Sequence, residues 1–147
     1  MDKNNYLLDL SESDHTDFGR VQFSDQSEPQ KVFSAIWALE SQVNNGGFLQ
    51  YFVSWDFDTA EFAPEALRRI GADSCSAIVS RALRALTPDA LPTSREACES
   101  LVEALSDEAS DQFDALDSEF FAYPDNLTEL LYAFVAANPE AFGPTPQ

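Results

Sequence analysis

Nine carboxylates fall between Thr93 and Phe121: Glu96, Glu99, Glu103, Asp107, Glu108, Asp111, Asp114, Asp117 and Glu119. Most steps between them are three or four residues, the spacing that gathers side chains on one face of an α-helix. At about 1.5 Å of rise per residue, such steps place a negative charge every ~4.5 to 6 Å along the axis. Duplex DNA carries one phosphate roughly every 3.4 Å along each strand, so two neighbouring acidic rows approximate its charge density. The chemistry open to such a face is recognition, because carboxylates at this spacing satisfy the lysines and arginines that DNA-binding proteins place against phosphates. Asp125 and Glu129 follow nearby, so the candidate face comprises Glu99, Glu103, Asp107, Glu108, Asp111, Asp114, Asp117, Asp125 and Glu129.

The charge balance sharpens this picture. Arg95 is the last basic residue, and residues 96–147 carry twelve carboxylates with no lysine or arginine. Like charges at i,i+4 cost a helix a few tenths of a kcal/mol per pair, and here no base relieves them. A face under no selection would mix its signs, so the cost argues for a use. A net charge of -18 makes nucleic acid and anionic membranes poor partners and speeds association with basic surfaces. Five of the eight bases, Arg68, Arg69, Arg81, Arg84 and Arg95, fall in one short stretch, and the cluster from Arg68 to Arg84 is one that another copy's acidic face can meet. A homodimer is therefore an open alternative, although surface ion pairs alone are weak.

Catalytic chemistry has little to stand on. His15 is the sole histidine and sits in a weakly patterned segment. Cys75 and Cys98 lie on apolar stripes, where a thiol is usually a small buried hydrophobe. Asp56-Phe-Asp58 opens like a calcium loop, but Glu61 stands where the loop's glycine is required. Asn45-Gly46-Gly47-Phe48 lacks the spacing and the lysine of a phosphate-binding loop. We therefore expect no enzyme, no cofactor and no metal site. An inconspicuous carboxylate site around Glu40 and residues 44–50 is the enzymatic alternative. Two cysteines without CxxC spacing, no leader-like start and no long apolar run predict a cytoplasmic protein with reduced thiols and no membrane span.

The elements that must position these residues are helical. Hydrophobic content of 44% with twelve Phe, four Tyr and two Trp separates this acidic chain from the disordered ones. Residues 1–26 read as an arm or a short helix, residues 27–142 as one helical domain and residues 143–147 as a tail. Ser27 with Gln30 forms a capping box, and Val32, Phe33, Ile36, Trp37, Leu39, Glu40 and Val43 recur at helical spacing. That helix should stop at residues 44–47 and a short second one, Phe48 to Trp55, should follow at a sharp angle. Asp73 is positioned to cap a helix whose stripe is Cys75, Ile78, Val79, Ala82, Leu83 and Leu86. Thr93 with Glu96 predicts a second capping box. Leu127, Leu130, Leu131, Phe134 and Val135 mark the last strong helix, with Phe142 as an anchor beyond it. No segment shows a period of two, so the fold class is all-α: a compact single-domain irregular bundle of about six to eight short helices.

The stretch Trp37-Ala-Leu-Glu40-Ser-Gln-Val43-Asn44-Asn45-Gly46-Gly47-Phe48-Leu-Gln50-Tyr51-Phe52 resembles the signature of the bacterial DNA-mimic protein family. Supporting matches follow at Ala66-Leu67, Ile70-Gly71-Ala72, Leu116-Asp117, Phe120-Phe121, Leu130-Leu131 and Asn138-Pro139 with Phe142. The resemblance implies an all-helical fold and, from the family's type member, a carboxylate surface that imitates DNA phosphates and occupies a DNA-binding protein. Within the signature, Trp37, Glu40, Asn44, Asn45, Gly46, Gly47, Phe48 and Gln50 look architectural. Glu40 is expected to accept backbone N–H bonds at the start of the second helix.

Two functional expectations result. The first is a non-enzymatic mimic that binds the basic DNA-contacting surface of a transcription regulator or nucleoid protein and blocks its DNA binding. The second is an immunity-type or adaptor protein that holds one specific partner through shape and apolar anchors, with exposed aromatics between Phe48 and Phe62 as its hot spots.

Overall fold

The apolar stripes from Ser27 onward become helices in the computed structural model, which describes residues 2–11 and 22–142. Among these residues there are eight α-helices, two single 3-10 turns and no strand. The helices are α1 Lys3–Ser11, α2 Glu28–Val53, α3 Ala63–Arg69, α4 Asp73–Leu86, α5 Arg95–Glu103, α6 Asp107–Phe121, α7 Leu127–Ala136 and α8 Pro139–Phe142. Together they make a compact all-α bundle. His15 and the tail residues 143–147 lie outside the described residues.

Helix α2 is the hub, with α3, α5, α6, α7 and α8 packed around it. Its stripe Val32, Phe33, Ile36, Leu39 and Val43 is fully buried. The Ser27 capping box forms as expected, the Ser27 N–H donating to Gln30 Oε1 at 3.2 Å. The helix breaks at Gly46 and Gly47, and its second segment ends at Val53, two residues earlier than the sequence suggests. That segment is locked to α6 by edge-to-face ring pairs, Phe48 on Phe120 at 5.8 Å and Phe52 on Phe113 at 6.1 Å. Each such pair adds about 0.5–1.5 kcal/mol beyond its buried area. The acidic helix α6 is thus held in place by its aromatic face.

Two caps differ from expectation. Asp73 does not cap α4; Ala72 occupies that position, and Cys75 N–H donates instead to Asp125 Oδ2 at 2.8 Å. The cap of α5 is Ser94 rather than Thr93, accepting from Ala97 N at 3.2 Å. Serine and threonine are near-equivalent caps, so packing decides the register, and this one turns Cys98 inward. Ser106 and Asn126 cap α6 and α7 in the same way. At the N-terminus α1 docks on α7 through buried Leu7 and Leu10 and an edge contact of Tyr6 with Tyr132.

Both cysteines are free and buried on their stripes, and burial pushes the Cys75 thiol up to about 12. A thiol reagent at pH 8 should leave the native protein unlabelled and modify both cysteines once urea unfolds it. Rapid labelling of the native protein would show that these thiols are accessible.

Candidate protein-docking interface

The two glycines of the turn serve different ends. Gly47 has φ 82° and ψ -176°, a backbone conformation open only to glycine, and a Cβ there would lie 2.3 Å from Asp117 Oδ2. Gly46 has an ordinary extended φ of -158°, but a Cβ there would lie 2.7 Å from Gln50 Cβ. The turn therefore lets α6 and the next helical turn approach closer than side chains permit.

What uses that approach is Asp117. Phe48 N–H, one of the orphan donors at the start of the second segment, donates to Asp117 Oδ1 at 2.9 Å. Glu40, expected in this role, is half-buried and accepts no hydrogen bond among the described residues. Glu40 precedes Phe48 by eight residues, about two helical turns, whereas α6 delivers Asp117 onto the helix start. Removing the cap with Asp117→Ala should cost about 1–2 kcal/mol, measured by urea denaturation, the usual range for a lost N-cap. Asp117→Asn, which keeps an acceptor oxygen, should recover most of it.

Burial raises the pKa of Glu40 above the ordinary carboxylate value. The folded state thus favours the protonated carboxyl, so ionisation costs stability; that cost is absent below the ordinary carboxylate pKa and fully developed above the folded pKa. The stability difference between Glu40→Gln and the wild type should move in favour of the glutamine as pH rises through this window. A pH-independent difference would mean that Glu40 stays hydrated. Of the other signature residues, Trp37 stacks on Phe33 at 5.6 Å, Asn44 accepts from the Tyr123 hydroxyl at 3.2 Å, and Gln50 donates to Gln42 at 3.3 Å. Asn45 is exposed.

The carboxylates of the candidate face, with Glu96 just before it, divide into two groups. Asp117 and Asp125 each hold a backbone N–H, Glu129 pairs with Lys3 at 2.5 Å, Glu99 pairs with Arg95, and Glu119, just outside that face, forks onto Arg81 at 2.6 and 2.8 Å. Glu96, Glu103, Asp107, Glu108, Asp111 and Asp114 are exposed and have no ion-pair partner among the described residues. At about 100° per residue, Asp107, Asp111 and Asp114 share a sector of roughly 60° on α6, and Glu96, Glu99 and Glu103 share a similar one on α5. The α6 row spans about 10 Å at 1.5 Å per residue. Glu108 lies off this row, towards the side that carries Glu119. Helices α5 and α6 each pack on α2 rather than broadly on one another.

Trp55 falls in the stretch expected to expose aromatic hot spots and does so; what sequence reasoning missed is the arginine that meets it. Trp55 is 79% exposed, and the Arg95 guanidinium stacks on its indole at 4.4 Å while donating to Val53 O at 3.0 Å and to Glu99. Of the expected aromatic hot spots, Phe48, Tyr51 and Phe52 are instead wholly buried. Asp56, the start of the calcium-loop-like stretch, accepts from Gln42 Nε2 at 3.0 Å. No group of residues able to hold a metal ion occurs among the described residues, and none of their helices is long and apolar enough to cross a membrane.

No curated protein and no solved structure matches the chain. The family model of the DMP19-like protein matches residues 24–138, which run from the turn before α2 to the end of α7 and include the glycine turn, Asp117 and both acidic helices. With most of its length matched, the chain belongs to the DMP19-like protein family.

Proposed function

We propose that the protein is a non-enzymatic DNA mimic that occupies the DNA-contacting surface of a basic transcription regulator or nucleoid protein and blocks its DNA binding. The observation that carries this reading is the uncompensated patch on α5 and α6. Lys3, Arg68, Arg69, Arg81 and Arg95 are all committed to carboxylates, while Glu96, Glu103, Asp107, Asp111 and Asp114 stand open without a counter-charge among the described residues. Membership of the DMP19-like protein family is consistent with it. A basic partner gathers these charges into contact and releases their repulsion, which makes the complex strongly salt-dependent.

The test is capture of a partner from lysate with the tagged protein, followed by elution with duplex DNA at moderate salt. A DNA-binding protein released by DNA supports mimicry. A complex that survives molar salt and coexists with bound duplex rejects it. The adaptor reading draws on a different observation, the exposed Trp55, and predicts a complex indifferent to both treatments.

A further inference from the structure

A cleft of about 330 Å³ opens beside Trp55, lined by Phe23, Trp37, Trp55, Asp56 and Asp58 among others. Its walls are held firmly. The Thr59 hydroxyl donates to Asp56 O at 2.8 Å, which leaves the buried Tyr51 hydroxyl to donate to Thr59 Oγ1 at 2.5 Å. Ser54 Oγ donates to Tyr51 O at 2.7 Å and accepts from Asp56 N at 3.2 Å. Gln42 fixes the Asp56 carboxylate, and Phe33 backs the Trp37 ring. Trp37 on α2 and Trp55, Asp56 and Asp58 on the braced turn after it thus bring two indoles and two carboxylates to one cleft.

The structure also contains an example of the contact such a cleft makes. Arg95 lies over one face of the Trp55 ring, its charge answered by Glu99, and the indole remains largely exposed. Partial desolvation and the Asp56 charge hold the Asp58 carboxyl above its ordinary pKa, a penalty that an arriving cation relieves. A guanidinium meets these walls better than an ammonium, because its plane stacks on an indole while its edge donates to carboxylates in a fork. Arg95, the first residue of α5, touches Trp55 at the edge of the cleft, which ties the cleft to the helix that carries Glu96, Glu99 and Glu103.

We propose that the cleft bounded by Trp37, Trp55, Asp56 and Asp58 is an anchor site for one arginine side chain of the basic protein partner. This rests on the reading of a basic partner, and it adds a specific pocket to what is otherwise a diffuse charge contact. The acidic rows attract any basic surface; the cleft selects one that projects an arginine at the right distance from them.

The two tryptophans give two indole N–H signals, and these can be followed by NMR while the full chain is titrated with a capped Gly-Arg-Gly peptide. The arginine peptide should shift both signals saturably, a citrulline counterpart should leave them still, and a lysine counterpart should bind several-fold more weakly. Asp56→Asn with Asp58→Asn should weaken the arginine response at least fivefold with little change in melting temperature, since each amide keeps an acceptor oxygen. Asp107→Asn, Asp111→Asn and Asp114→Asn together should leave it nearly unchanged. Indole signals that ignore the arginine peptide, respond equally to citrulline or lysine, or fade equally in the α6 variant overturn the cleft. Because no partner enters this titration, the cleft can fail while DNA-competable binding stands, and the reverse.

Discussion

Gly47→Ala should lower the unfolding free energy by about 3 kcal/mol, the largest single-residue effect expected outside the aromatic core. Two penalties combine. At φ 82° and ψ -176° an L side chain forces the backbone into a region that costs on the order of 1–3 kcal/mol. The new Cβ also meets Asp117 Oδ2 at 2.3 Å, and the carboxylate can move away only by releasing the Phe48 N–H. Losing that cap costs about 1 kcal/mol more. The mechanism has its own check in a double-mutant cycle by urea denaturation. Gly47→Ala and Asp117→Ala share one contact, so the double variant should lose less than the sum of the singles. Strict additivity would separate the glycine from the cap and leave only backbone strain.

The second large effect concerns binding rather than folding. Replacing Glu96, Glu103, Asp107, Asp111 and Asp114 by their amides should weaken a DNA-competable partner complex by roughly a hundredfold or more at moderate salt. Five contacts at about 0.5–1 kcal/mol each amount to roughly two to three and a half factors of ten. Because none of these carboxylates has a counter-ion among the described residues, the same variant relieves repulsion and should fold no less stably. A higher melting temperature beside a lost complex cannot be explained by unfolding. If affinity survives the five amides, the partner is held by shape and apolar anchors, and Trp55 becomes the residue to replace. The slope of binding against salt concentration should fall in the same variant, which separates lost charge contacts from an altered surface shape.

Much of this molecule was legible along the chain. Apolar residues at three- and four-residue steps marked the stripes of α2, α4, α6 and α7, because a helix with one buried face must repeat its apolar side chains once per turn. The paired glycines announced the break in α2, and the Trp37 to Phe52 stretch announced the family. Local caps were legible to within one residue, as Ser94 in place of Thr93 illustrates. The excess of negative charge after Arg95 was visible by counting, since net charge is a property of composition and not of shape.

What no reading along the chain could supply is which carboxylate meets which group. Asp117 reaches Phe48 across 69 residues and Asp125 reaches Cys75 across 50, so two members of the acidic run cap helices far away in sequence. Glu119 finds Arg81 in the same way. Helical spacing defines the face of one helix but not the neighbour that covers it, and identical acids at identical steps become cap, ion pair or open charge according to that neighbour. The Trp55 corner likewise exists only where the end of α2, the turn after it and the first residue of α5 meet. Periodicity and composition set the helices and the charge; packing assigned each charge its task, because side-chain partners are chosen by distances in space that sequence separation does not encode.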